Sequence, residues 1–152
     1  MQTQATIMTA PTDFDGRWDA IAWSDEFATG NAGIDADHQR LLSLFNDFAL
    51  AVNSGKAEAA IRGVLDELVD YTHYHFAREE LLMQESDYPE YARHKKMHDT
   101  FIRQVDDVGS HLSGGGDLSA FLLSFLAKWL SGHILGADRQ LGRYLERGRT
   151  EH

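Results

Sequence analysis

An all-α fold, an up-down-up-down four-helix bundle with an extended N-terminal loop, is what this sequence predicts. Three observations lead there. Apolar residues recur at three-and-four spacing along four long stretches. Only two prolines occur, Pro11 and Pro89, and the glycines gather between the stretches. No strand-like alternation of apolar and polar residues survives anywhere. Four helices with short connections cover their apolar stripes by packing as an antiparallel bundle.

The first stretch runs from about Asp35 to Asn53, with His38, Leu41, Leu42, Phe45, Phe48 and Val52 on one face and Gly55 placed for a left-handed cap. The second, about Ala57 to Glu85, puts Ile61, Val64, Leu68, Thr72, His75, Glu79 and Leu82 on one face. Pro89 opens the third near its first turn, where a missing N–H costs nothing. Its stripe is Tyr91, His94, His98, Phe101, Val105 and Leu112, and the run Gly114, Gly115, Gly116 ends it. Asp117 is a natural N-cap for the fourth, whose stripe is Leu118, Leu122, Phe125, Trp129, His133, Leu141 and Leu145, fading near Gly148. Residues 1–20 read as a flexible tail, and residues 21–34, with Trp23 and Phe27, as a loop packed on the bundle; the helical domain spans 21–148.

Composition narrows the function. A chain of 152 residues suits one domain with a real core. The absence of cysteine removes disulfides, thiolate zinc sites, iron–sulfur clusters and cysteine nucleophiles. A formal charge of −10 argues against nucleic acid, which needs clustered Lys and Arg. No continuous apolar run approaches the roughly 18 residues of a membrane span, so no membrane partner is expected. The start, MQTQATIMTAPTDFDG, lacks the basic and apolar regions of a secretory signal, and the expected address is cytoplasmic.

Polar residues sit on the wrong face. Each stripe should be apolar, yet every one carries histidine: His38, His75, the pair His94 and His98, and His133. Glu79 lies one turn beyond His75 on the same face, and Asp138 follows His133 by five residues. A buried carboxylate without a partner costs several kcal/mol, and no inward Lys or Arg stands ready. Metal ions resolve this, because they take deprotonated carboxylates and neutral imidazoles. With two octahedral ions, five imidazoles, two bridging carboxylates and one shared oxygen atom fill all but one of twelve positions. One vacancy is what a small-molecule binding site needs. Imidazole–carboxylate sets suit iron, manganese or zinc.

The motifs HFAREELLM (His75–Met83), HKKMH (His94–His98) and WLSGHILGAD (Trp129–Asp138), with the leader WSDEFATGNAGIDADHQRL (Trp23–Leu41), resemble the hemerythrins, in particular the single-domain bacteriohemerythrins. The resemblance covers about Ile21 to Leu145. It implies two non-haem iron ions joined by an oxo or hydroxo bridge, with reversible dioxygen binding for transport, storage or delivery rather than enzymatic turnover. It implies that His94, His98 and His133 hold the coordinatively full iron, His38 and His75 the open one, and that Glu79 and Asp138 bridge the pair. It also implies that Phe76, Trp129, Leu130 and Ile134 line the dry oxygen pocket.

Other features stand outside this set. His73 falls about 200° round the helix from His75 and should face away. Glu80 and Glu85 read as solvated, His111 as a cation near a helix end, and His152 as terminal. Five residues from His133 to Asp138 amount to about 140° of ideal helix, so either the helix carries a π-bulge near Gly132 and Gly136 or the Asp side chain reaches without distortion. An oxygen or peroxide reductase using the same irons would need electron delivery, and no flavin or iron–sulfur module is visible. A sensor of oxygen or nitric oxide, in which binding moves the N-terminal segment against an unidentified protein partner, is the other alternative.

Overall fold

The computed structural model describes residues 20–110 and 116–150. The tail before residue 20, Leu112, the cap glycines Gly114 and Gly115, His111 and His152 lie outside the described residues. Four long helical segments carry the fold, and no strand occurs among the described residues. They are α1 (Ala32–Asn53), α2 (Glu58–Glu85), α3 (Tyr91–Gly109) and a last helix in three parts: α4 (Gly116–His133), a π turn (Ile134–Asp138) and α5 (Arg139–Thr150). Each helix packs on the next, and α4 closes on α1, giving the expected antiparallel bundle.

Local chemistry sets the ends. Asn31 caps α1 by accepting the Ile34 N–H at 2.9 Å, which starts the helix three residues before the expected Asp35. At its far end Gly55 takes φ +66, and its N–H reaches Val52 O while that of Lys56 reaches Ala51 O. This Schellman closure returns the last carbonyls to partners. The end of α2 repeats it with Asp87 at φ 54, donating to Gln84 O while Tyr88 donates to Met83 O. Pro89 therefore lies in that turn, just before the Glu90 cap, and not in the first turn of α3 as expected. The third helix ends at Gly109, before the glycine run, and α4 is already helical at Gly116, so Asp117 falls inside it and not at the N-cap position.

Two apolar clusters divide the bundle's length. The larger takes Leu41, Phe45 and Phe48 from α1, Leu65 and Leu68 from α2, Phe101 and Val105 from α3, and Leu122 and Leu126 from α4. The smaller holds Ile34, Met83, Tyr88 and Leu141. Every helix passes from one cluster to the other across a level where the polar stripe residues sit. The last helix is long and apolar enough in composition to match a membrane span, which amends the expectation that no segment would. Leu122, Leu123, Leu126, Ala127, Leu130 and Ile134 of that helix are in the core while Phe121 is exposed, and buried His133 and Asp138 interrupt the apolar stretch.

Residues 20–31 form a strap over the bundle, with one 3₁₀ turn at Asp25–Phe27. Asn46 on α1 holds it by exchanging two hydrogen bonds with the Ile21 backbone, at 2.8 and 3.0 Å. The Thr29 N–H and hydroxyl both donate to Asp35 Oδ1, at 2.8 and 2.7 Å. Phe27 is fully buried beneath the strap. Gly142 lets Thr29 lie directly on α5: a Cβ there would collide with the Thr29 carbonyl and approach its Cβ to 2.8 Å. Gly142→Ala is expected to lower stability by about 1–3 kcal/mol by overpacking this contact. Gly63→Ala, in a helix with open space at that position, is expected to raise it by roughly 0.5–1 kcal/mol. Thermal unfolding of both variants checks the pair, and equal shifts would show that the strap does not rest on α5.

Candidate metal centre

Helical spacing brings the polar stripe residues together. His75 and Glu79 are one turn apart on α2, as are His94 and His98 on α3, so each pair shares a face. His38 enters from α1 and His133 from the end of α4. Asp138 closes the π turn that begins just after His133. That turn absorbs one extra residue, so a five-residue step returns the side chain to the same face. The choice left open by the spacing is settled in favour of the bulge.

All seven are buried: His38 and Glu79 are 0% exposed, and His133, the most open, is 7%. Their polar atoms converge. Glu79 turns Oε2 toward His75 Nε2 at 3.0 Å and His38 Nε2 at 3.6 Å, and Oε1 toward His94 and His98 Nε2, both at 3.2 Å. Asp138 divides its oxygens the same way. Oδ2 lies 2.8 Å from His38 Nε2, and Oδ1 lies 3.0 Å from His94 and 3.1 Å from His133. Two donor groups result, one of His94, His98 and His133, the other of His38 and His75, both sharing the two carboxylates.

The close approaches leave valences open. His38 Nε2, His75 Nε2, both Glu79 oxygens and Asp138 Oδ1 are buried without an aligned hydrogen bond. His133 Nε2 stands 3.1 Å from His94 Nε2 and 3.2 Å from His98 Nε2, so three ring nitrogens aim at one point. Unsatisfied buried polar atoms are costly, and cations at the two foci would satisfy all of them. The donor set fits a pair of metal ions bridged by Glu79 and Asp138.

A family model, the hemerythrin HHE cation binding domain, matches residues 29–145. The chain belongs to the hemerythrin family. It is 38% identical to a bacteriohemerythrin of Stenotrophomonas maltophilia over 136 residues, 87% of this chain and 88% of the other. With a bacteriohemerythrin of Pseudomonas aeruginosa it shares 40% identity over 118 residues, 78% of this chain and 76% of the other. A hemerythrin-like protein of Naegleria gruberi is 32% identical over 116 residues, 76% of this chain and 86% of the other.

Around this hemerythrin centre stands a second ring of carboxylates. His75 Nδ1 lies 3.0 Å from Asp37 Oδ2, and His98 Nδ1 lies 2.9 Å from Glu80 Oε2. Glu80 is thus a partner of the site, not the solvated residue expected. Nothing in the helical period marks Asp37, one residue off the stripe of α1, as such a partner. Each follows or precedes a ligand by one residue, a turn of about 100° that swings it toward the next helix in the bundle. The usable signal was chemical: a ligating imidazole needs an acceptor for its other N–H. Glu85 and His73 are exposed, as expected.

Phe76 stacks on His98 with centroids 3.7 Å apart, and Trp129 stacks on His133 at 4.3 Å. Both rings therefore wall the three-histidine group. Leu130 and Ile134 are buried in the larger apolar cluster beside them.

Without metal the protons must do the compensating. Burial alone pushes His38 down, but Asp138 and Glu79 overcome it and lift its pKa to about 10. His75 and His94 follow the same logic, burial opposed by carboxylates, and each rises to about 9. His133 is held down, chiefly by burial. Burial opposes ionisation of Glu79, yet contacts from four imidazoles hold it well below its usual value. Asp138 is also lowered, by His133 and His38 against burial and Glu79.

Two outcomes follow from this site. The raised histidines stabilise the metal-free fold fully below their unfolded value of about 6.5, and that contribution is lost as pH climbs through about 9 to 10. Metal-free protein should therefore weaken between pH 7 and 10 in urea titrations, and metal added near pH 7 should release protons from His38, His75 and His94. Loading that leaves an indicator dye unmoved would contradict the protonated cluster. Asp37→Ala and Glu80→Ala should each lower metal affinity about 10–100-fold by leaving a ligand imidazole without its acceptor. Chelator competition measures this, and parental affinity in both would reduce the outer acids to surface groups.

Proposed function

We propose that this chain binds dioxygen reversibly at a pair of non-haem iron ions, serving as a carrier or store rather than as an enzyme. One observation carries the reading. The two carboxylates, each with one oxygen toward either focus, divide five imidazoles unequally, three to one side and two to the other. Equal bridges with unequal imidazole sets leave the His38 and His75 side one ligand short. A reduced iron pair bound there would supply the electrons that dioxygen takes on binding and returns on release.

The chain's own part is to hold that deficit open and dry. His38 and His75 are 0% and 1% exposed, so bulk water has no direct access to their side of the centre. Asp37 fixes the His75 ring by accepting from Nδ1, and is itself held by the Tyr71 hydroxyl at 3.0 Å. Leu130 and Ile134, 2% and 1% exposed, add apolar bulk from the last helix. A dry pocket denies solvation to a departing anion, which favours release of neutral dioxygen.

The direct experiment is optical. Iron-loaded protein is reduced under argon, exposed to air and returned to argon through repeated cycles, with the charge-transfer bands followed throughout. Two irons per chain and bands that appear and vanish with oxygen are expected. One metal per chain, or air oxidation without a reversible phase, would overturn the proposal. Leu130→Ala should keep the metals and the initial uptake, cost about 2–5 kcal/mol of stability, and shorten the life of the oxygenated form by admitting water. An unchanged decay in folded, fully loaded variant would make Leu130 plain packing.

A further inference from the structure

On the outer side of His94 and His133, α3 and the last helix do not close against each other. They leave an open groove of about 520 Å³, within the range of small-molecule sites. Two glycines make the room. A Cβ on Gly132 or Gly136 would meet nothing within 4 Å, so the wall there is bare backbone. Lys128 and Arg143, both on this wall, are separated by about 20 Å of helix at 1.5 Å per residue. The groove is therefore a slot. Tyr88 packs on Tyr144 at 5.0 Å, which sets the start of α3 beside α5. Arg93 and Arg143 thus share one end, and Lys128 marks the other.

Its chemistry differs from that of the chain as a whole. The protein carries a net charge of −10, yet this slot is lined by three cations and a single acid, Glu90. Glu90 stands 3.8 Å from Arg93 in an exposed pair, which neutralises little. Lys128 and Arg143 have no carboxylate partner among the described residues. Between the charged residues Met97, Trp129 and Ala137 give apolar surface beside the glycine backbone, interrupted by the edges of His94 and His133 and by Gln140. The two arginines at one end suit an acidic head, and the apolar surface of Met97, Trp129 and Ala137 beyond them suits an elongated body that runs toward Lys128.

We propose that this slot is a binding site for an elongated organic anion. Its carboxylate or phosphate head pairs with Arg93 and Arg143, and its apolar body lies along Met97, Trp129, Gly132 and Gly136. Occupancy covers the outer edges of His94 and His133. It leaves the His38 and His75 side untouched, so the ligand does not compete with a gas bound there, and the site stands whether or not that gas is dioxygen.

Calorimetry on metal-loaded protein tests this with octanoate, 1-octanol and octylamine as probes. Octanoate is expected to bind one saturable site, with the alcohol about tenfold or more weaker and the amine weaker still, because charge-assisted hydrogen bonds are lost. The double variant Arg93→Gln, Arg143→Gln should lower octanoate affinity about ten- to a hundredfold and leave the alcohol alone. Both side chains are exposed, so the fold should survive, as an unchanged visible spectrum will verify. Gly132→Leu should fill the slot and abolish binding of both probes. Equal affinities for acid and alcohol, octanoate binding indifferent to the arginine changes, or no saturation into the millimolar range would each overturn the proposal.

Discussion

Two buried carboxylates, Glu79 and Asp138, set the terms for everything around them. A lone carboxylate at such depth costs several kcal/mol, and every close ion pair that these two make is with an imidazole. The charges are arranged in shells. The inner acids face five imidazoles, two of those imidazoles turn their outer nitrogens to Asp37 and Glu80, and these outer acids meet surface cations. Arg78 lies 3.5 Å from Asp37 and Lys95 lies 3.8 Å from Glu80. Lys and Arg therefore stay at the rim while the interior is left to groups that can lose a proton to a metal. A permanent cation beside Glu79 would satisfy it and spoil the site.

The π turn is the backbone's share of that arrangement. A regular helix would place Asp138 about 140° from His133 and turn it out of the cluster. Widening one turn restores the face, and it also resets the register of α5. Leu141 returns to the apolar cluster of Ile34, Met83 and Tyr88, and Gly142 comes under Thr29. The strap, the smaller cluster and the second bridging acid thus depend on the same inserted residue. Tyr144 locks the result by donating to Ser86 O at 2.7 Å, tying α5 to the turn between α2 and α3.

The helices and six of the seven inner residues were legible in the sequence because periodicity reports which face a residue shares, and polar residues on an apolar face are conspicuous. Asp138, five residues beyond His133 and off its face on a regular helix, came only with the family motif, because the π turn that brings it inward is not written in the period. Asp37 and Glu80 were not legible either, because they sit on helix flanks where the period says only that a residue is off the stripe. Whether a flank residue meets solvent or a neighbour depends on which helix comes next, and that is tertiary information. The misplaced cap at Asp117 and the shifted Pro89 have a related cause: local propensity names residues that can start a helix, while the preceding turn decides where it starts. The slot beside His133 was harder still. Gly132 and Gly136 read as a helix weakness beside a bulge, and nothing in the linear sequence says that their missing side chains open a groove against α3.

The two sides of the centre are unequal in cover as well as in ligands. His94 and His133, with 3% and 7% exposure, back onto an open groove, whereas His38 and His75 are sealed at 0% and 1%. The ligand-poor focus is therefore the one farther from solvent. A molecule reaching it must pass between packed side chains, by the brief local openings available to any folded interior. Only something small and uncharged does so at little cost, since a charged or hydrogen-bonding solute would leave its hydration behind. The larger and wetter cleft lies against imidazoles whose focus is already served by three of them. Access and donor supply are thus separated: the open groove leads to the focus that has three imidazoles, and the focus that has two is reached only between packed side chains. For any molecule that binds at the two-imidazole focus, that separation would discriminate by size and polarity without a specific contact, and it follows from where five histidines fall along four helices.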